Sequence, residues 1–183
     1  MTLKITVQFL FYPTSTKFFK NSCITAFQIF LTNCKTLYPF QFGFGSKHST
    51  SNALINCVEQ ISKSPDYGNF ACSIFIDLQK AFDTVDHQIL FSKLHHYGIR
   101  GITQSWFKSF LTSRKQYVEI NGAKSDSKFV SHGVPQNSVP GPLLFLLYVN
   151  NLHAAILYSI VNIFADDTML FLSNNSLKSL AKK

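Results

Sequence analysis

Two aspartates stand side by side at Asp166-Asp167, between the apolar runs Ile160-Val161-Asn162-Ile163 and Met169-Leu170-Phe171-Leu172. Both flanks are rich in the β-branched and aromatic residues that fit strands. Phe164-Ala165-Asp166-Asp167-Thr168 therefore reads as the turn of a β-hairpin. At a separation of about 5 Å and an effective dielectric near 20, two carboxylates repel by roughly 3 kcal/mol. That cost is large beside a domain stability of about 5–15 kcal/mol. A divalent cation converts the repulsion into ligation, since Mg²⁺ takes one or two carboxylates and completes its shell with water and phosphate oxygens. The plain alternative is a solvated Asp-Asp turn. Asp77 is the third candidate: it closes the apolar run Phe70 to Ile76, and an ionised Asp at the end of a buried strand needs a partner. A strand-end acid and a hairpin-tip pair are the parts of a two-metal site for in-line displacement at phosphorus.

The elements that must position these acids are bounded by composition. At 183 residues the chain is one medium domain or part of a larger protein. With 46% hydrophobic residues and 19 Phe it can build a core, which excludes a disordered chain. Seventeen basic residues against nine acidic ones leave a net charge of +8, which favours a polyanionic partner, nucleic acid before membrane. Five of the nine acids, Asp77, Asp83, Asp86, Asp166 and Asp167, fall in just two apolar contexts, which suits metal ligands in a basic protein. Cys23, Cys34, Cys57 and Cys72 show no C-x-x-C spacing and read as buried thiols of a reducing compartment. The longest apolar stretch, Leu143 to Val149, is too short to span a bilayer, and no cleavage site follows Ile5 to Tyr12. An intracellular location, cytoplasm or nucleus, is expected.

Residues 1–40 show no clean period beyond Ile24, Phe27, Phe30 and Leu31, whose spacing predicts a short helix before Asn33. Ser49-Thr50 are N-cap candidates for a helix with Ala53, Leu54, Cys57, Val58 and Ile61 on one face, ended by a turn at Ser64-Pro65-Asp66-Tyr67-Gly68. Asp86 is expected to cap a helix with Ile89, Leu90, Leu94 and Tyr97 inward and Gly98 as its stop. Another helix follows Thr103, with Trp106, Phe107, Phe110 and Leu111 on its face. Asn121-Gly122 predicts a hairpin between Tyr117-Ile120 and a strand around Phe129-Val130. Pro142 suits the first residue of a helix through Leu152. This order is α+β and not a regular βαβ alternation.

Five segments then carry a resemblance. They are Gln41-Phe42-Gly43-Phe44 with His48-Ser49-Thr50; Phe75-Ile76-Asp77-Leu78-Gln79-Lys80-Ala81-Phe82-Asp83-Thr84-Val85-Asp86-His87; Tyr97-Gly98-Ile99-Arg100-Gly101; Gly133-Val134-Pro135-Gln136 with Gly141-Pro142-Leu143-Leu144-Phe145; and the aspartate hairpin. Together and in this order they resemble the reverse transcriptase of non-LTR, LINE- and jockey-like retrotransposons. The resemblance implies a partial right-hand polymerase, with fingers elements and a palm on an antiparallel sheet, the thumb missing. Residues 1–37 match poorly, and residues 38–183 would form the fingers and palm fragment. It implies Mg²⁺ as cofactor, two ions with Mn²⁺ as a substitute, and an RNA template, a DNA primer and dNTPs as partners. Asp77 and Asp166 look like the metal ligands, with Asp167 the second acid of the pair. Phe82 looks like the aromatic under the nucleotide sugar, with packing into the core as its rival. Gln136 resembles a glutamine beside nucleotide and template, against a loop-stabilising amide, and Lys47 a triphosphate contact, against a solvated lysine. Asp83 and Asp86 read as helix-positioning acids. Lys108, Arg114, Lys115, Lys124 and Lys128 form either a backbone-tracking patch or a solvated face.

The chain also departs from the family. Asn137 stands where a Gly is usual, Pro140 where a Leu is usual, and Asn151 where an acid is common. Pro140 and Pro142 predict a helix that begins no earlier than Pro142. Two readings follow: an RNA-directed DNA polymerase domain, or a catalytically inactive remnant of a mobile element that at most binds nucleic acid without sequence preference.

Overall fold

The computed structural model describes residues 5–9, 16–34, 36–45, 48–112, 114–136 and 138–180. Lys47 and Asn137 lie outside them. In chain order the elements are β1 (Ile5–Phe9), α1 (Thr16–Asn33), α2 (Thr50–Asp66), β2 (Phe70–Ile76), α3 (His87–His96), α4 (Gly101–Thr112), β3 (Lys115–Ile120), β4 (Ala123–Lys124), β5 (Lys128–Phe129), α5 (Pro140–Val149), α6 (Leu152–Ala155), β6 (Ile160–Phe164), β7 (Asp167–Asn174) and α7 (Leu177–Leu180). The fold is α+β, as the element order predicts.

One apolar cluster joins α1, α3, α4 and α5. Phe27 and Leu31, Leu90 and Leu94, and Phe107 and Leu111 enter it as i,i+4 pairs, and Leu143, Leu144, Phe145 and Leu147 enter from α5. A helix apolar on nearly every side, as α5 is, belongs in a core. The Asp86 carboxylate caps α3 by accepting the N–H groups of Gln88 at 2.7 Å and Ile89 at 2.9 Å. These two bonds hold the Asp86 carboxyl below its ordinary pKa.

Two sheets complete the fold. In the first, β1, β3 and β4 lie side by side, and β5 also pairs with β3. Asn121 and Gly122 both have positive φ, 50° and 85°, as a two-residue hairpin turn requires. Strand β1 runs antiparallel to β3 along its whole length, with Ile5 against Ile120 and Phe9 against Gln116. The second sheet has the order β2-β7-β6, all antiparallel, and carries the acids.

Several expectations are corrected. Helix α2 runs on through Asp66 with Pro65 inside its last turn, and the chain reverses only at Tyr67-Gly68, where Gly68 has φ +68°. Its expected buried face is largely open: Leu54, Val58 and Ile61 are exposed, although α2 bonds to the sheet through Cys57 and Gln60. Ile89 of α3 is exposed as well. Helix α5 begins at Pro140 and ends at Val149. Both prolines fall in its first turn, where backbone N–H groups have no intrahelical partner to lose. Strand β2 is exposed along nearly its whole length, since β7 pairs only one edge of it and α2 covers little of its face. Cys34 and Cys72 are exposed and Cys57 is half-buried, so the buried-thiol reading fails at Cys34 and Cys72 and holds only in part at Cys57.

Candidate active site

The aspartate hairpin closes more tightly than its composition alone requires. Phe164 pairs with Asp167, leaving Ala165 and Asp166 as a two-residue loop, and Ala165 takes φ +57°. A left-handed alanine costs roughly 1–2 kcal/mol, so the surroundings must hold the turn in place. Asp166 is half-buried in that loop and Asp167 is exposed at the start of β7. Below them Val161, Ile163, Met169 and Phe171 are buried, which anchors the tip in packed strands.

Asp77 reaches the same place through strand register. The last pair of β2 and β7 is Ile76 with Thr168, so one step further along the ladder Asp77 stands across from Asp167. Side chains alternate along a strand, which puts Asp77 and Asp167 on the face that also holds Phe75 and Met169. Helix α2 crosses this face: Cys57 Sγ lies 2.9 Å from Met169 Sδ, and Asn162 Nδ2 donates to Gln60 Oε1 at 3.1 Å. Between helix and sheet lies a cavity of about 360 Å³ whose lining includes both Asp77 and Asp167. Asp77 is exposed, in contrast to the buried strand end expected of it.

A second cavity, about 510 Å³, opens beside the first bend after β2 and is lined by Lys80, Asp83, Gln136 and the Gly133-Val134-Pro135 loop. That loop is stitched to the bend by Gly133 N–H to Val85 O and Val134 N–H to Phe82 O, both 2.8 Å. Gly133 has φ +84°, and a Cβ there would sit 2.8 Å from Asp83 O, so a larger residue is strained twice over. Gln136 Nε2 donates to Asp83 Oδ1 at 3.3 Å, which joins two residues read from sequence as separate candidates. Phe82 is half-buried and stacks on Phe145 at a centroid distance of 4.3 Å, with the exposed Phe44 edge-on at 6.1 Å. Its ring therefore packs on the edge of the helical core.

Two residues hold this loop in a role not read for them from the sequence. His87 is buried, and its Nε2 lies 2.8 Å from Gly133 O; burial pushes the imidazole pKa down. Arg114 is buried and donates to the same carbonyl from Nη2 at 2.9 Å. Its placement in a nucleic-acid-tracking patch is overturned: the guanidinium lies beneath the loop, and burial lowers its pKa. Of the other patch candidates, Lys115 sits over the Phe129 ring, and Lys124 lies 3.8 Å from Glu119.

The sequence matches the family described as reverse transcriptase (RNA-dependent DNA polymerase) over residues 20–182. The chain belongs to the reverse transcriptase family. It is 30% identical over 165 residues to the probable RNA-directed DNA polymerase from transposon BS of Drosophila melanogaster, covering 83% of this chain and 17% of that protein. It is 31% identical over 150 residues to the RNA-directed DNA polymerase from mobile element jockey of the same fly, covering 78% and 16%. Against the probable X-element polymerase of that fly the identity is 36% over 118 residues, covering 61% and 12%. The chain thus spans 17% or less of these relatives' length. It is a reverse transcriptase domain of the non-LTR retrotransposon kind.

Among the described residues, no three His, Cys, Asp or Glu side chains are gathered tightly enough to hold a metal ion by themselves. A hard cation needs only one or two protein carboxylates when phosphates and water supply the rest. Asp77 and Asp167 lining one cavity, with Asp166 beside them on the turn, meet that demand in kind and number. No helix among the described residues is long and apolar enough to cross a membrane.

Proposed function

We propose that this reverse transcriptase domain is a fingers and palm fragment that extends a DNA primer on an RNA template, using dNTPs and Mg²⁺. One observation carries the reading: the β2–β7 register, which ends on Ile76 against Thr168, sets Asp77 across from the Asp166-Asp167 turn although the two lie in distant parts of the sequence. In this reading Asp77 and Asp166 hold the metal and Asp167 is the second acid of the pair. When bound, two Mg²⁺ ions supply activation of the attacking 3′-hydroxyl and charge neutralisation at the leaving oxygen. The chain's own part is placement. Phe82, braced on Phe145, would lie under the sugar and exclude a 2′-hydroxyl. Gln136 and Lys80, which line the larger cavity, would face nucleotide and phosphate, with Lys47 as a further phosphate contact.

The test is extension of a DNA primer annealed to an RNA template in Mg²⁺, with this chain beside its Asp166→Ala variant. Extension by the first and none by the second is expected. Equal, background-level extension by both would sink the polymerase reading and leave the inactive remnant in its place.

A further inference from the structure

We propose that Gln41 is a positioning residue for the aspartate turn, its amide oxygen fixing where Asp166 and Asp167 present their carboxylates. The inference rests on the metal-binding reading of those acids. Gln41 is buried, 4% exposed, and Oε1 accepts two backbone N–H groups: that of Gly43 at 2.8 Å and that of Ala165 at 3.2 Å. Ala165 is the left-handed residue of the two-residue loop, so the bond falls on the peptide that most needs holding.

The rest of the segment is built for the same end. Phe40 O accepts from Ile163 N–H at 2.9 Å, and Phe42 N–H donates to Ile163 O at 2.7 Å, so residues 40–42 run parallel along the outer edge of β6. A Cβ on Gly43 would lie 2.2 Å from Ala165 N, a distance only glycine permits. The start of the segment is tied to the helical core by the buried Asn150, which accepts from Tyr38 N–H at 2.7 Å and donates to Thr36 O at 2.8 Å. Anchored at one end, the segment carries the Gln41 oxygen to the hairpin tip at the other.

The Gln41 amide is satisfied on one side only. With Oε1 doubly used its orientation is assigned, and Nε2 is left buried with no hydrogen-bond partner among the described residues. A side chain serving only to fill space would avoid an orphaned donor. Here the donor is unpartnered while the acceptor is used twice.

The test uses the full chain with Gln41→Met, which keeps the length and removes the acceptor, and Gln41→Glu, which restores an acceptor oxygen. Amide hydrogen exchange reads the tip, and Mn²⁺ titration followed by electron paramagnetic resonance reads the acids, with Asp166→Asn as control. Gln41→Met should accelerate exchange of the Ala165 amide about tenfold while the β2–β7 ladder amides near Cys72 and Leu172 keep their rates. It should weaken Mn²⁺ binding about tenfold, as loss of an outer support does at metal sites. Gln41→Glu should restore slow exchange at the tip. Should Gln41→Met prevent folding, Gln41→Asn, which keeps the amide and withdraws its oxygen by one methylene, takes its place. Wild-type Mn²⁺ affinity in the Met or Asn variant, or equal loosening by Met and Glu, overturns the positioning role and leaves the metal reading standing. Mn²⁺ binding that is absent, or indifferent to Asp166→Asn, sinks the metal reading and this role with it.

Discussion

The two strands that flank β7, β2 and β6, help bring the acids together in one sheet and are packed in opposite ways. On β6, Ile163 is 1% exposed; on β2, Ile76 is 38% exposed; both stand beside Thr168 of β7 in the same register. The Asp166-Asp167 side is set among buried residues and braced by the 40–43 segment, whereas Asp77 rides at the end of an uncovered strand. The ladder hydrogen bonds are common to both sides, so the difference lies in side-chain burial. The hairpin tip is the fixed half of the site, and Asp77 is the half whose position depends on β2 keeping its register.

The largest effect should separate these halves directly. Ile163→Ala removes a side chain from a closed site and should cost about 2–5 kcal/mol. Ile76→Ala, across the same Thr168, should cost about 1 kcal/mol, since much of that side chain already meets water. Denaturant unfolding of both variants measures the gap; equal costs would mean that β2 is as well covered as β6. Next in size is Gly133→Ala, in the buried loop stitched to the bend after β2. Its φ of +84° and the 2.8 Å approach to Asp83 O predict a loss of more than about 1 kcal/mol. A fall in thermal midpoint at unchanged secondary structure would register it, and an unchanged midpoint would show that the loop can shift away from Asp83.

What the sequence discloses is what local rules govern. The Asp166 turn, the Asn121-Gly122 turn, the Asp86 cap and the Gly98 stop each depend on a few adjacent residues, and each stands in the structure. Where coverage or distant pairing decides, sequence reasoning falls short. Strand β1 escapes it because its partner lies more than a hundred residues away, though the alternation in Ile5-Thr6-Val7-Gln8-Phe9 is a usable signal. The apolar run of β2 records a capacity for burial, and nothing local says whether another element covers it. Gln41 stands out only within a motif, since its bond to Ala165 spans 124 positions. Pro140 breaks the rule for a helix interior but occupies a first turn, so Pro140→Leu should leave the start of α5 where it is.

A smaller effect concerns the buried polar support beneath the Gly133 loop. His87 has a folded pKa below its ordinary 6.5 because burial disfavours the charged ring. Between those two values the unfolded chain binds a proton that the folded chain does not. Stability from this residue is therefore full above about pH 6.5 and declines as pH falls from there toward the folded pKa. His87→Asn should remove that slope between about pH 7 and 5 while lowering stability at neutral pH through the altered contact with Gly133 O. Identical slopes in both proteins would place His87 in water and leave the Gly133 loop without its buried support.

The smallest effect on stability gives the cleanest view of the open side. Cys72 lies on β2 opposite Leu172 and is exposed, while Cys57 of α2 is half-buried against Met169. Thiol reactivity follows access to the thiolate, so Cys72 should titrate rapidly with a disulfide reagent in the native protein and Cys57 slowly. Cys72→Ser should then remove one equivalent from the fast phase and leave the unfolding midpoint nearly unchanged. Cys57→Ser should leave the fast phase intact. A protected Cys72 would mean that the face of β2 turned away from Asp77, which it shares with Ile74 and Ile76, is covered in solution. A reactive Cys72 means that on this face β2 is held by the β2–β7 ladder without a covering element, so mutations that weaken that ladder should act on the Asp77 side of the site before they reach the turn.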